Sequence, residues 1–356
     1  MTIVGTRPEF IQVAPLTRLI RQVNTEILVN TGQHYDDNMA RVFFDELGLP
    51  EPEINLGVGS GSHAKQTAEI MIAMETVMLD EKPDYVIVYG DTNSTVAAAM
   101  VAAKLHIPLA HIESGLRSFD RKMPEEVNRI VTDHLSQLLF APTQRAVDNL
   151  ADEGITAGVH RTGDVRVDIL AHFSDPAKQR IPSLREKFGF SPDENFALTT
   201  IHRPANTDDE TRLTQIINTL NDLDIAILLP AHPRLKKMLD AYNLQIGDNI
   251  HLVDPLGFLD MMAMLHASEI VITDSGGLQK EAYMLHRQTV TVRDSTEWVE
   301  TVDAGWNRLC EPDALAAAVD VARNTELSEH PDYYGNPGVC EHILQTMIEH
   351  LPALSV

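Results

Sequence analysis

One stretch, from Asp84 to His134, constrains the fold of this chain more than any other. It contains two short apolar segments, Tyr85–Tyr89 and Leu109–Ile112, with a helix-forming pattern over Ser94–Leu105 between them. An apolar strand, a crossover helix and a second apolar strand form a βαβ unit, whose strands are parallel and covered on both faces. The sequence therefore predicts an α/β fold.

Each of these two strands ends directly in an acidic residue. Asp91 follows the first strand, Glu113 follows the second, and Glu125 lies just inside a helix predicted to start at Pro124. Ligands of open α/β sheets bind beyond the carboxyl ends of the strands, so we expect Asp91 and Glu113 to point into one crevice. Carboxylates crowded in a cleft repel each other, and the pKa of one then rises into a range suited to proton transfer.

The alternation of strands and helices repeats in the second half of the chain. Strands are predicted at Phe196–Thr200, Ile225–Leu229, Ile250–Val253, Ile270–Thr273 and Thr289–Val292. The polar segment Ser174–Arg180 marks the predicted change between the two blocks. We expect two doubly wound domains facing each other across a cleft, at residues 1–170 and 171–338.

Two strand–helix junctions are candidates for anion binding. Ser275, Gly276 and Gly277 follow a strand and open a helix, where free N–H groups and the helix dipole suit a phosphate. Arg7, at the first such junction, is a natural phosphate partner. From spacing alone, a tight turn without a ligand and a surface ion pair explain these residues about as well. Neither dinucleotide-binding nor P-loop glycine spacing is present.

Two further candidates are polar groups with more than one interpretation. His202 follows a buried strand and can act as acid, base or phosphate donor, although a lone histidine is more often structural. Arg129 lies four residues after Glu125 on the same helix face and is expected to hold it, with a solvated salt bridge as the alternative.

Composition limits the possible partners. With 52 acidic and 28 basic residues, the net charge of −24 argues against nucleic acid and anionic membrane surfaces. No apolar run approaches the ~20 residues of a membrane span. Two cysteines, Cys310 and Cys340, and no signal peptide predict a cytoplasmic protein with free thiols. The histidine and cysteine spacings match no metal motif.

Together these motifs resemble the non-hydrolysing UDP-N-acetylglucosamine 2-epimerase family. The matching stretches, in order, are GTRPEFIQVAPL, NTGQHYDDNM, YGDTNST, AHIESGLRSFDRKMPEEVNRIVTDH, TIHRPANTDD, AHPR, TDSGGLQKEA and RDSTEWVE. The resemblance implies a GT-B fold, with two Rossmann-like domains and the substrate between them, and a homodimer. It also implies that the last helix, within about residues 339–356, crosses back to the first domain.

The resemblance assigns roles to individual residues. Asp91, Glu113 and Glu125 match the family's catalytic acids, and His202 matches its histidine beside the sugar and diphosphate. Positions that bind UDP are matched by Arg7, Arg129, Ser275, Gly276, Gly277 and Glu281. Gln33, His34 and His232 match positions that bind a second, activating nucleotide sugar in some bacterial members. Gln12 stands where the family commonly has a lysine near the phosphates.

The reaction implied by the resemblance is epimerisation at C2 of UDP-N-acetylglucosamine, by elimination of UDP to 2-acetamidoglucal and re-addition, without nicotinamide or metal. The segment Thr296–Glu300, TEWVE, is more similar to the branch acting on UDP-2,3-diacetamido-2,3-dideoxy-glucuronate. Three alternatives remain: a hydrolysing epimerase, a GT-B glycosyltransferase and a non-catalytic nucleotide-sugar sensor.

Overall fold

The structure, a computed structural model, describes residues 1–33 and 46–354, without the side chains of Arg7 and of residues 351–354. The chain divides into two compact units. The first comprises Met1–Ala171 and Asp332–Val356, and the second comprises His172–Pro331. Each unit contains its own parallel sheet, with helices between most of the successive strands that the structure describes, which confirms the predicted α/β class.

The first unit has a 7-stranded parallel sheet. Its strands are β1 Thr2–Val4, β2 Leu28–Asn30, β3 Ile54–Asn55, β4 Val86–Tyr89, β5 Leu109–Ile112, β6 Leu138–Ala141 and β7 Val159–Arg161. Its first helices are α1 Arg7–Val23, α2 His63–Glu81, α3 Asn93–Lys104, α4 Pro124–Leu135 and α5 Gln144–Asp152. The central strands β4, β5 and β6 are buried along their whole length, as apolar runs in parallel sheets require.

A long helix, α6 Arg166–Lys187, spans the boundary between the two units, which lies between Ala171 and His172. The polar segment Ser174–Arg180, predicted to be the domain change, lies inside this helix. Phe173, Ala177 and Leu184 are buried, with spacings of four and seven residues, so the polar residues between them form the outer face of an amphipathic helix. The polarity of Ser174–Arg180 therefore reflects the solvent-exposed face of this helix.

The second unit has a 6-stranded parallel sheet. Its strands are β8 Phe196–Thr200, β9 Ala226–Pro230, β10 Ile250–Val253, β11 Ile270–Thr273, β12 Gln288–Thr291 and β13 Asn307–Leu309. Its helices are α7 Pro204–Thr207, α8 Glu210–Asp222, α9 Pro233–Ala241, α10 Phe258–Ala267, α11 Gly276–Met284, α12 Val299–Asp303 and α13 Leu315–Asn324, with a 3₁₀ turn at Pro312–Ala314.

The final helix, α14 Val339–Leu354, belongs to the first unit, where it contacts α1. Its start is fixed by Asp168 of α6, whose carboxylate accepts hydrogen bonds from the backbone N–H groups of Gly338 and Cys340, each at 2.6 Å. An acidic group at a helix N-terminus also interacts favourably with the helix dipole. Among the described residues, no helix combines the length and apolar character needed to cross a membrane.

Both sheets reverse their strand order at one point. The first has the order β3-β2-β1-β4-β5-β6-β7 and the second β10-β9-β8-β11-β12-β13. In the first sheet, β2 and β3 therefore lie on one side of the β1/β4 pair and β5, β6 and β7 on the other. In the second sheet, β9 and β10 lie on one side of the β8/β11 pair and β12 and β13 on the other. The loops that leave such neighbouring strands separate above the sheet and open a crevice, which is where ligands bind in doubly wound folds.

Candidate active site

The predicted site residues of each unit cluster at these two reversal points. In the first unit, Gly5 and Thr6 lead from β1 into α1, and Gly90 and Asp91 lead from β4 into α3. Glu113 follows the adjacent strand β5, which pairs with β4 up to Tyr89 and Ile112. In the second unit, residues 201–203 follow β8 and residues 274–275 follow β11.

Asp91 is held by helix α4. The Arg129 guanidinium contacts the Asp91 carboxylate, and the Asn128 side-chain amide donates to the Asp91 backbone carbonyl at 2.8 Å. The Arg129 side chain is 8% exposed and that of Asp91 24% exposed, so the carboxylate reaches solvent while its partner is buried. Two consecutive residues of one helix thus fix both the backbone and the side chain of this acid.

The contacts of Arg129 differ from the predicted pairing with Glu125. Its second ion pair is with Glu126, three residues earlier, at 3.4 Å. Glu126 is buried, and its carboxylate accepts hydrogen bonds from the backbone N–H groups of Ser118 and Phe119, at 2.8 and 3.0 Å. This turn draws Glu126 to the inner face of α4, where Asp91 lies. Glu125 is half-buried in the first turn of the same helix.

Glu113 has an unusual backbone conformation and accepts a hydrogen bond from Gln12. Its φ of +70° lies in the left-handed region, which costs a non-glycine residue roughly 1–3 kcal/mol and is found most often at functional sites. The Gln12 side-chain amide donates to the Glu113 carboxylate at 2.9 Å. A Cβ built on Gly90, the residue before Asp91, would lie 3.7 Å from a Glu113 carboxylate oxygen. The Glu113 carboxylate therefore lies beside the turn that carries Asp91.

Position 12 accordingly contacts a candidate catalytic acid. The resemblance implied that a side chain here lies near the phosphates of the nucleotide. In the structure Gln12 is 3% exposed, and its described hydrogen bond is to Glu113.

Glu9 is a residue that the sequence analysis missed. Its carboxylate accepts hydrogen bonds from the backbone N–H groups of Gly5 and Thr6, at 2.7 and 2.9 Å, and from the hydroxyl of Thr92 at 2.6 Å. Burial raises the pKa of Glu9 to about 7, although these hydrogen bonds act in the opposite direction. The sequence did contain a signal, because Thr6 and Glu9 have the spacing of a helix capping box.

A buried charged network lies beneath the Asp91 turn. His111 of β5 is fully buried, with one ring nitrogen 2.7 Å from an Asp133 oxygen and the other 2.7 Å from the Gly90 carbonyl. Asp133 also accepts from Arg117 at 2.7 Å. Burial alone would raise the pKa of Asp133, but its interactions with His111 and Arg117 bring the pKa below its ordinary value. The network therefore supports the backbone next to Asp91 from below.

In the second unit, Asp274 holds the predicted residue His202. The His202 ring nitrogen Nδ1 lies 3.1 Å from Asp274 Oδ1, and the backbone N–H groups of His202 and Arg203 donate to the same carboxylate at 3.1 and 2.9 Å. The His202 side chain is 41% exposed and Asp274 is fully buried. Burial acts to raise the pKa of Asp274, but the interactions with His202, Arg203 and Asn206 outweigh it, so the pKa is lowered.

The predicted anion site is the N-terminus of α11. Ser275 is the N-cap residue, and Gly276 and Gly277 form the first turn, whose N–H groups have no acceptor within the helix. A Cβ at Gly276 would lie 3.7 Å from the Trp298 indole nitrogen, within ordinary contact distance. Glu281 lies further along α11 and is half-buried. The geometry suits a phosphate at the positive end of the helix dipole.

The remaining predicted residues are placed as follows. Gln33 accepts hydrogen bonds from the Ser94 backbone N–H and hydroxyl, at 3.0 and 2.7 Å, and so caps α3. His232 is the N-cap of α9, and its ring centroid is 6.2 Å from that of His202. Arg7 is the first residue of α1. His34 lies outside the described residues.

The described parts of the chain contain no group of three or more His, Cys, Asp or Glu side chains that fits a metal ion. The arrangement consists instead of carboxylates with distinct partners in one unit, and of a helix N-terminus beside a histidine in the other. Carboxylates in different surroundings can supply one acid and one base.

Comparison with known proteins places the chain among sugar-nucleotide epimerases. A family model described as UDP-N-acetylglucosamine 2-epimerase matches residues 18–348. The chain is 45% identical to a UDP-N-acetylglucosamine 2-epimerase homolog from Methanococcus maripaludis, over 94% of both chains. It is 44% identical to the UDP-2,3-diacetamido-2,3-dideoxy-D-glucuronate 2-epimerase of Pseudomonas aeruginosa, over 87% of both chains.

A solved structure agrees with these sequence relatives. The UDP-GlcNAc 2-epimerase of Methanocaldococcus jannaschii, crystallised in complex with UDP-GlcNAc and UDP, is 40% identical and superimposes with a TM-score of 0.90. The alignment covers 98% of the present chain and 99% of the other.

Proposed function

The chain belongs to the UDP-N-acetylglucosamine 2-epimerase family and has its GT-B fold, and on this premise we propose that it is a non-hydrolysing isomerase that inverts C2 of a UDP-2-acetamido sugar. The substrate we propose first is UDP-N-acetylglucosamine, and the product is then UDP-N-acetylmannosamine. The observation that carries the proposal is the pair of acids Asp91 and Glu113 on adjacent strands of the first sheet, each with a different partner.

The proposed reaction requires two proton-handling groups and leaves the atoms of the sugar nucleotide unchanged. A base removes the proton from C2 while the C1–O bond to UDP breaks, which gives 2-acetamidoglucal and UDP. The UDP oxygen then returns to C1 while an acid delivers a proton to the opposite face of C2. Inversion at one carbon thus needs proton donors and acceptors on both faces of the sugar ring.

Asp91 and Glu113 are the groups to which we assign these proton transfers. Asp91 is paired with the guanidinium of Arg129, whereas Glu113 receives a hydrogen bond from the neutral amide of Gln12. Different surroundings are how two carboxyl groups of one site take different protonation roles. We assign Glu125, in the first turn of α4, to the same set of acids on the strength of its match to the family motif.

Retention of UDP is the second requirement, because the released nucleotide must return to C1. We propose that Ser275, Gly276 and Gly277 hold the diphosphate with the free N–H groups at the start of α11. His202, oriented by Asp274, would bind or protonate the diphosphate as it leaves. Remaining UDP contacts are assigned, from the family motifs, to Arg7, Arg129 and Glu281.

The alternative substrate is UDP-2,3-diacetamido-2,3-dideoxy-glucuronate, on which C2 would be inverted in the same way. Two observations favour it: the TEWVE segment and the 44% identity to the Pseudomonas aeruginosa relative. In this segment Thr296 and Glu297 are buried, and Glu297 forms an ion pair with Arg293 at 3.1 Å. The two sugars differ at C3 and C6, so both are compared in the experiment.

We also propose the wider setting of the enzyme. The chain passes from the first compact unit to the second after Ala171 and returns to the first at Asp332, and we take these two units to be the two domains of the enzyme. The two cysteines, Cys310 and Cys340, are free and buried, which suits a reducing cytoplasm. A homodimer and a second, activating nucleotide sugar near Gln33, His34 and His232 are proposals from the family motifs alone.

The proposed function is tested by incubating the enzyme with each UDP-sugar in D₂O and following products by NMR. The expected result is a C2 epimer that retains UDP and carries deuterium at C2. Free N-acetylmannosamine with released UDP would identify a hydrolysing enzyme. Transfer of the sugar to an added acceptor would identify a glycosyltransferase, and binding without turnover a sensor. A C2 epimer without solvent deuterium would exclude the elimination route.

A further inference from the structure

Two turns of the first unit are packed against each other without space for a side chain. A Cβ built on Gly5, in the β1–α1 turn, would lie 2.1 Å from the Thr31 hydroxyl and 2.3 Å from the Ser94 hydroxyl. Real Cβ atoms do not approach other atoms this closely, so the position requires glycine. The β1–α1 turn is therefore fixed directly against the first turn of α3, which follows Asp91.

The Glu9 carboxylate spans these two turns. One of its oxygens accepts the N–H groups of Gly5 and Thr6, and the other lies 2.6 Å from the hydroxyl of Thr92 and 3.2 Å from that of Thr95. Glu9 and Thr92 are separated by 83 positions in the sequence. A fully buried carboxyl group is thus the polar bridge between two loops that lie at the strand-order reversal.

The direction of the hydroxyl hydrogen bonds follows from the distances. The Thr95 hydroxyl lies 2.6 Å from the Tyr89 carbonyl oxygen. A carbonyl oxygen can only accept, so the single hydroxyl proton of Thr95 is directed to Tyr89. The Thr92 hydroxyl is then available to donate to Glu9, and 2.6 Å is the usual length for a hydroxyl bound to a carboxylate. Thr92 also accepts the Thr95 N–H at 3.3 Å as the N-cap of α3. One side chain therefore joins Glu9 to the start of this helix.

We propose that Glu9 is a positioning residue for the reaction, acting through Thr92 on the neighbouring acid Asp91. The inference rests on the proposed function, because Asp91 is one of the groups assigned to proton transfer. Glu9 is 2% exposed and lies beneath the turn, so it has no role in contacting the sugar. Its contribution is the placement of the Asp91 backbone, and a displacement of about 1 Å at a reacting group can reduce turnover by roughly 10²-fold.

The test breaks the bridge at its Thr92 end. Thr92→Val removes the hydroxyl and keeps the volume, and we expect kcat to fall at least ~10-fold, within the range for a misplaced catalytic group. KM should change by less than about threefold, since the acid acts in the transition state. Thr92→Ser restores the hydroxyl and should restore most of kcat. The matched control is Thr143→Val, which removes the buried N-cap hydroxyl of α5 and should leave kcat unchanged.

A double-mutant cycle tests whether Glu9 and Thr92 act as one unit. If they do, the double variant Glu9→Ala/Thr92→Val should have a kcat within about twofold of the kcat of the slower single variant. Additive losses would overturn the proposal, as would a Thr92→Val enzyme with normal kcat or a Thr92→Ser enzyme as slow as the valine variant. If Glu9→Ala does not fold, the valine–serine comparison still decides.

Hydrogen exchange separates this inference from the proposed function. In the Thr92→Val variant the backbone amide protons at positions 92 and 95 should exchange at least ~10-fold faster than in the wild type. The reason is that the free energy needed to open this turn locally falls. An inactive wild-type enzyme would refute the proposed function, and unchanged exchange would refute the positioning role of Glu9. If the wild type is active and hydrogen exchange in Thr92→Val is unchanged, only the positioning role of Glu9 is refuted.

Discussion

The side-chain amide of Gln12 donates a hydrogen bond to the carboxylate of Glu113 at 2.9 Å, across 101 positions of sequence. A neutral group on α1 therefore contacts one of the two acids to which we assign proton transfer. A charged side chain at position 12 would act on the chemistry at Glu113.

Gln12→Lys should consequently change kcat and its pH dependence more than KM. An ammonium group beside the Glu113 carboxylate favours the ionised form of that carboxylate. The pH profile of kcat should shift to lower pH, and kcat at neutral pH should fall if Glu113 delivers a proton. Gln144→Lys is the matched control, because Gln144 donates to the exposed Asp148 at 2.8 Å. A lower KM with unchanged kcat would instead indicate that position 12 acts on the phosphates.

Asp91→Asn and Glu113→Gln should each reduce kcat by at least ~10²-fold, the usual effect of losing a general acid or base. The affinity for UDP, measured by calorimetry, should remain nearly constant, because neither carboxylate is assigned to the nucleotide. Asp148→Asn, an exposed carboxylate on α5, is the control and should have normal turnover. Near-normal turnover in either site variant would contradict its assigned role.

Asp274→Asn should destabilise the second unit and impair catalysis together. The buried carboxylate accepts from His202, Arg203 and Asn206, and an amide in its place presents N–H groups to donors. Leaving a buried hydrogen-bonding group without its partner costs about 1–3 kcal/mol, so the unfolding free energy should fall by at least that amount at neutral pH.

The control for this variant is Asp254→Asn, which removes a surface ion pair with Lys236 and should have little effect. The pKa of Asp274 is lower in the folded chain than in the unfolded chain. The ionised carboxylate therefore stabilises the fold at neutral pH, and this stabilisation is lost as the pH falls through the pKa of the folded state. The difference in stability between wild type and Asp274→Asn should therefore shrink in acid. A constant difference down to pH 3 would contradict this account.

Glu9 predicts a pH dependence of the opposite sign. Its pKa rises from 4.5 to about 7 on folding, so the fold favours the protonated form. That preference is fully present below pH 4.5 and is lost as the pH rises through 7. At 1.36 kcal/mol per pKa unit, the stability of the wild type relative to Glu9→Gln should fall by about 3 kcal/mol over this range.

Chemical denaturation at a series of pH values measures this difference. Glu69→Gln provides the control, because Glu69 is half exposed on α2 and should give a difference independent of pH. A flat difference for Glu9→Gln as well would show that the hydrogen bonds of Glu9 from Gly5, Thr6 and Thr92 offset its burial completely.

Local sequence patterns predicted most of the secondary structure and the placement of the candidate site residues at the ends of strands. The apolar run Leu109–Ile112 is strand β5 with the predicted ends, and Asp91 and Glu113 follow their strands as expected. These features depend on periodicity and on turn residues within a few positions of each other. The segment Ser174–Arg180, where the sequence pattern predicted a change of domain, lies within helix α6. A polar run is typical both of a domain boundary and of the outer face of a helix, so sequence pattern alone does not separate the two.

The sequence by itself determined that this chain alternates strands and helices in two blocks, and that acids, a histidine and a glycine-rich turn end the strands. Only the tertiary structure decided which groups meet: Arg129 with Asp91 rather than with Glu125, Gln12 with Glu113, and Glu9 with Thr92. The physical reason is strand order. The reversal between β1 and β4 brings together turns that are more than eighty residues apart, and hydrogen-bond partners are then selected by burial and distance, which sequence spacing does not encode.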